Sequence, residues 1–173
     1  MYITFETTYD QKTLCAMARA LRKTVRKKHS RRSHAIGWCV AVLGVLLSVL
    51  PGEDGFAVTG KTVLTWIVVA VIIVTLIWED RINGYFAGKR ALPGMKVTTA
   101  TFNEESYTTV NAAGETRWKY ENIQTVAETR EYFVFVLNVN HGQAYSKQTM
   151  TGGTADEFRA FLEEKLGKPV EQV

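Results

Sequence analysis

Hydrophobic and polar positions fall unevenly along this chain. Two uncharged apolar runs stand out, AIGWCVAVLGVLLSVL at residues 35–50 and TVLTWIVVAVIIVTLIW at residues 62–78. The connecting PGEDGFAVTGK carries the Pro and Gly that end helices and make turns. Neither run shows the polar face that a helix of a small soluble domain exposes. At 1.5 Å per residue, about 17 residues reach roughly 25 Å, a little short of a hydrocarbon core of roughly 30 Å. Trp38, Trp66 and Trp78 lie near the run ends, where aromatic anchors sit. Ser33 and His34, with the long stems of Arg31, Arg32 and Lys61, extend the spans by snorkelling. The pattern predicts a two-helix transmembrane hairpin. Its competitor is a helical hairpin buried in a soluble core.

Around this hairpin the period changes. Residues 2–8, YITFETT, alternate as a short strand, with Ile3 and Phe5 expected on opposite faces. Asp10 suits a helix N-cap, and Leu14, Ala18, Leu21 and Val25 then recur at helical spacing. That helix is expected to run on through KKHSRR into the first span. After the second span, EDRINGYFAGKRAL reads as a short exit helix ended before Pro93-Gly94. Six strands are expected next. KVTTATFNEESYTTVN forms a hairpin, and GETRWKYENI is a strand with Trp118 and Tyr120 on one face. IQTVAET follows, then EYFVFVL, apolar on both faces as a central strand would be, then QAYSKQTM. TADEFRAFLEEKLGKP closes the chain as a helix, with a capping box of Thr154 and Glu157, a buried stripe of Phe158, Phe161, Leu162 and Leu166, and stop signals at Gly167 and Pro169. The implied parts are 1–34 (strand and basic amphipathic helix), 35–78 (hairpin), 79–95 (exit helix and linker) and 96–173 (β-domain with its C-terminal helix).

Charge adds an orientation. The net charge is +4, but residues 1–34 carry +7, residues 35–78 carry −1 and residues 79–173 carry −2. Positive flanks stay cytoplasmic, so both termini are expected there and the hairpin loop, with Glu53 and Asp54, outside. A local basic excess beside apolar runs points to anionic lipid headgroups before nucleic acid, through Arg19, Arg22, Lys23, Arg26, Lys27, Lys28, Arg31 and Arg32. The same charges also serve a helix that merely packs on its own domain. Cys15 and Cys39 define no disulfide framework or zinc spacing.

Catalytic chemistry finds little support. Gly55 to Thr62 match the phosphate-loop pattern G-x-x-x-x-G-K-[ST], yet no strand feeds Gly55 directly and no parallel βαβ series follows. His29, His34 and His141 have no second ligand at metal spacing. Thr151-Gly-Gly-Thr154 reads as a flexible link into an N-cap rather than an anion cradle. No catalytic, metal or cofactor-binding residue is assigned. Trp118, Tyr120, Phe133 and Lys147 are the expected partner surface, although strand aromatics more often build the core. Gly37 and Gly44, seven apart on one helix face, allow close packing, either between two copies of the chain or against the second span.

The order of parts, and above all GETRWKYENIQTVAETREYFVFVLNVNHGQAYSKQTM at residues 114–150, resembles the YcxB-like bacterial membrane proteins. Gly114 leads a strand, Trp118 and Ile123 bracket a bend, and an aromatic strand follows. Ser146-Lys147-Gln148 stands where members of that family often carry Pro-Lys-Arg. The resemblance implies an α+β membrane protein of the bacterial inner membrane, with a transmembrane hairpin and a cytoplasmic PH-like antiparallel β-domain closed by a C-terminal helix. Members of that family are largely of uncharacterised function, so the role expected here, non-enzymatic protein or peptide interaction at the membrane, rests on the architecture and on the lack of catalytic motifs. The alternative is anionic-lipid sensing at the basic helix.

Overall fold

The computed structural model describes residues 2–50, 58–90 and 96–173. In chain order the elements are β1 (Ile3–Thr8), α1 (Gln11–Lys23), α2 (Lys27–Val49), α3 (Gly60–Ile77), α4 (Glu79–Arg90), β2 (Val97–Phe102), β3 (Ser106–Asn111), β4 (Gly114–Lys119), β5 (Thr125–Glu128), β6 (Tyr132–Asn138), β7 (His141–Ser146), α5 (Ala155–Leu166) and β8 (Glu171–Gln172). The acidic loop with Glu53 and Asp54, Gly55 of the phosphate-loop pattern, and the Pro93-Gly94 stop lie outside the described residues.

Two four-stranded sheets form, in the orders β1-β2-β3-β4 and β7-β6-β5-β8. Neighbours are antiparallel except β8, which runs parallel to β5. The sheets meet where β1 passes β7. There the Ser146 amide donates to Thr7 Oγ1 at 3.0 Å, and Thr4 and Thr151 exchange backbone hydrogen bonds of 3.0 and 2.9 Å. Between the sheets lies an aromatic core. Phe158 of α5 sits 4.9 Å from both Phe5 and Phe102 and 5.1 Å from Phe133, between ring centroids. Such tilted and edge-on contacts suit the ring quadrupoles. Polar atoms inside are satisfied, since the Tyr107 and Tyr145 hydroxyls both donate to Gln143 Oε1, at 2.9 and 2.7 Å. Burial holds both phenols well above their ordinary pKa.

The last helix follows its sequence signals. Thr154 and Glu157 close a reciprocal capping box, and Gly167 ends the helix at φ 61°, a left-handed conformation that glycine adopts without a Cβ penalty. Ile3 and Phe5 are both fully buried in the core, on one face rather than two, because residues two apart on a strand point the same way. β6 is covered on both sides as expected. Phe133 and Phe135 face the aromatic core, while Tyr132 and Val134 meet α1.

The basic helix departs from expectation. It does not run on into the span but breaks at Thr24–Arg26, so Lys27 to Arg32 open α2 instead. The Thr24 amide and hydroxyl both bond the Ala20 carbonyl, at 3.0 and 2.7 Å, which ends α1 with its own side chain. Nor is one side of α1 left free. Ala16, Met17 and Ala20 pack on Ala127, Tyr132, Val134 and Ala144, the outer face of the second sheet. On its far side α4 approaches so closely that a Cβ on Gly84 would lie 2.9 Å from the Cys15 amide nitrogen. The result is a stack of α4, α1, second sheet, aromatic core and first sheet, with α5 closing the core.

Helices α2 and α3 pair with each other. A Cβ on Gly37 would fall 2.9 Å from Leu76 Cδ2, and one on Gly44 would fall 2.8 Å from Val69 Cγ2, so both glycines are used within the chain. Trp66 Nε1 donates to Ser48 Oγ at 2.9 Å across the pair. Of the apolar positions in the two helices only Ala41 and Val69 are buried. Both helices are long and apolar enough to cross a membrane, and the sheet domain covers neither. The soluble-core alternative has no core here to hide them.

Candidate functional site

Glu79 and Asp80 open α4, one residue beyond the end of α3. Acids suit a helix N-terminus, where amide dipoles favour negative charge. Here they also gather partners from two other helices. Arg22 of α1 donates from Nε and Nη2 to the two oxygens of Asp80, both at 2.7 Å. That planar fork is the strong form of an arginine–carboxylate pair, and it raises the Arg22 pKa. Arg19 Nε lies 3.6 Å from Asp80, and His34 Nε2 of α2 lies 2.6 Å from Glu79. A polar joint therefore ties α1, α2 and α4 together where the apolar residues begin and end.

The eight basic residues expected to meet lipid split into two groups. Arg19 and Arg22 serve the joint. Arg26 is committed to the turn between β6 and β7, donating to the Val139 carbonyl at 2.6 Å and to Asn140 Oδ1 at 2.8 Å. The side chains of Lys23, Lys27, Lys28, Arg31 and Arg32 form no ion pair or hydrogen bond among the described residues, and all five residues are exposed. They span the α1–α2 elbow and the first two turns of α2, immediately before the apolar residues from Ala35. Beneath them is a pocket of about 310 Å³, lined by Arg22, Lys23, Lys27, Ser30 and Arg31 on one side and by Glu171, Gln172 and Val173 on the other.

The aromatic partner surface does not form. Phe133 is fully buried between the sheets, and Tyr120 is only 6% exposed. β4 ends at Lys119, so Tyr120 begins a short 3-10 turn instead of continuing beside Trp118. That turn swings its ring inward against Phe161, and its hydroxyl donates to the Asn103 carbonyl at 2.7 Å. Trp118 stays half-buried, its indole N–H donating to Thr109 Oγ1 at 2.9 Å. Lys147 is drawn to Glu128 and lies over the Phe133 ring.

Glu128 itself carries no local sequence signal. Its side chain is 2% exposed. Besides Lys147, it accepts from Arg159 at 2.5 and 2.7 Å and from Gln172 at 2.7 Å. Burial pushes the carboxyl pKa up, but these donors outweigh burial and hold it down to about 2. Both oxygens are engaged, so the group ties β5, α5 and β8 together instead of waiting for a substrate proton.

No protein-family model, no curated protein and no solved structure matches the chain.

Proposed function

We propose that this chain is a non-enzymatic, two-span protein of the bacterial inner membrane. It holds a YcxB-like, PH-like β-domain against the cytoplasmic surface and contacts anionic lipid headgroups through the α1–α2 elbow. The observation that carries the reading is the group of five exposed cations, without side-chain partners among the described residues, directly before the apolar part of α2. Each basic residue beside an anionic leaflet contributes about 1 kcal/mol. Positive charge on this flank also keeps both termini cytoplasmic. Full-length protein in nanodiscs of phosphatidylglycerol and phosphatidylcholine tests it. Headgroup immobilisation seen by phosphorus NMR should rise with the phosphatidylglycerol share and fall with salt. Equal immobilisation in phosphatidylcholine alone would remove the reading.

A second reading is protein or peptide interaction. One observation favours it: β4 ends the order of its sheet, and Gly114 to Arg117 are all exposed. An edge strand offers unpaired backbone groups to an incoming strand, while Glu115, Arg117 and Lys119 guard against indiscriminate pairing. Slower hydrogen exchange confined to β4 when a partner binds would support strand addition. Exchange slowed elsewhere and not in β4 would rule it out.

A further inference from the structure

We propose that the pocket at the α1–α2 elbow is a discrete site for one phosphoryl group, of the kind carried by a phospholipid headgroup or by free phosphate. The inference rests on the lipid-contact reading above but is narrower: it separates a built site from a diffuse basic collar. Ser30 points to it. This residue is only 8% exposed, lines the pocket, and makes no side-chain hydrogen bond among the described residues. Its hydroxyl oxygen keeps some solvent exposure, so it is available to a ligand that enters the pocket. Here the open space it faces is bordered by Lys23, Lys27 and Arg31, three cations whose side chains also lack a partner among the described residues.

The backbone adds to the case. α2 begins at Lys27 with no side-chain cap, and its N-terminal dipole favours anions, while the Lys27 and Ser30 amides themselves donate to the Thr24 and Arg26 carbonyls at 3.2 and 2.9 Å. Arg22, held by its fork to Asp80, lines the pocket beside Lys23 and Lys27. Glu171 on the opposite wall accepts from Thr125 Oγ1 at 3.0 Å through one carboxylate oxygen and forms no ion pair with the pocket cations among the described residues. The pocket offers one hydroxyl and three cationic donors, a set that suits a tetrahedral oxyanion better than a carboxylate with two oxygens. It also sits four to eight residues before the apolar stretch, at headgroup depth if α2 spans the bilayer.

The test uses the full chain in nanodiscs and compares variants of equal charge. Lys27→Ala with Arg31→Ala removes two pocket cations. Lys28→Ala with Arg32→Ala removes two neighbours that do not line the pocket. Native mass spectrometry after mild detergent release reads how many phosphatidylglycerol molecules stay bound. The neighbouring pair should weaken retention roughly 30-fold at most, the collar effect of two basic residues beside the leaflet, and the pocket pair at least roughly tenfold more, because it also loses charge-assisted hydrogen bonds. Ser30→Ala, which removes no charge, should weaken it roughly tenfold through one lost charge-assisted hydrogen bond. Equal losses from both pairs, with Ser30→Ala silent, overturn the site and leave only the collar. No loss from either pair overturns the site and the lipid reading together. Titration of inorganic phosphate into phosphatidylcholine nanodiscs distinguishes the sources. Saturable binding that Ser30→Ala weakens identifies free phosphate as a ligand, whereas phosphatidylglycerol retention without it identifies the lipid headgroup.

Discussion

Strand β6 and helix α3 are both strongly apolar, with Lys61 the one charge between them, yet they meet opposite surroundings. Every residue from Tyr132 to Val136 is buried, with aromatic rings on one side and α1 on the other. In α3 only Val69 is buried, and Leu64 is 62% exposed. Apolar sequence is thus accounted for by protein in one region and left uncovered in the other. Monomeric soluble proteins rarely expose contiguous apolar surface on this scale, so the uncovered helices call for an apolar medium that the chain does not supply. The two regions are joined by a polar device, the Arg22–Asp80 fork with Glu79 and His34, which fixes where the sheet domain sits relative to the helix pair.

Substitutions can break this contrast. Phe158→Ala should cost about 4 kcal/mol, because it empties the centre of the aromatic core. Leu64→Ala should change denaturant stability of the sheet domain by less than about 0.5 kcal/mol, since the side chain is mostly exposed and lies outside the domain's core. Comparable losses in urea titrations of the two variants would contradict the division. Glu128→Gln should cost roughly 3 kcal/mol, because it leaves Lys147 and Arg159 partly buried around a neutral group. The pH dependence has a definite sign. The folded pKa of Glu128, about 2, lies below its ordinary 4.5, so the contribution is complete above the ordinary value and is lost as pH falls from there towards 2. Wild-type protein should lose stability across that window more steeply than Glu128→Gln.

Smaller effects sharpen the description of the joint. Gly84→Leu should cost roughly 2 kcal/mol, since the new side chain meets backbone at Cys15. Gly37→Ala should cost less, because it meets the flexible end of Leu76. Thermal unfolding in one detergent ranks the pair, and the reverse order would contradict the close α1–α4 approach. Arg22→Ala should cost about 1 kcal/mol, since the pair is only partly buried. Its cost should shrink as salt rises.

Much of this fold is legible in the residue pattern, for reasons tied to particular positions. Thr154, Glu157 and Gly167 act within one or two helical turns of themselves, so their roles can be read directly. The strands from Val97 to Ser146 announce themselves through Thr, Val and aromatic runs separated by turns. What local pattern lacks is the identity of the neighbour. Tyr120 and Phe133 look like a surface until a 3-10 turn and two covering layers place them inside. Asp80 and Arg22 stand 58 positions apart, and Glu128 stands 44 from Gln172, so nothing in either stretch reveals the pairing. The break at Thr24 is likewise hidden, because Lys27 to Arg32 are as good in a continuing helix as in a new one. The elbow pocket exists only because of that break, and Ser30 carries no motif.

The central claim, that α2 and α3 lie in a bilayer, can be tested on a residue already present. Cys39 is exposed on α2, within its apolar part, whereas Cys15 is half-buried against α4. In a Cys15→Ala background, a charged maleimide added to full-length protein in nanodiscs should leave Cys39 unlabelled until detergent and denaturant are added. A cysteine introduced as Lys28→Cys should label at once. Prompt labelling of Cys39 in the intact nanodisc would show that water, not lipid, covers this helix, and would contradict the account.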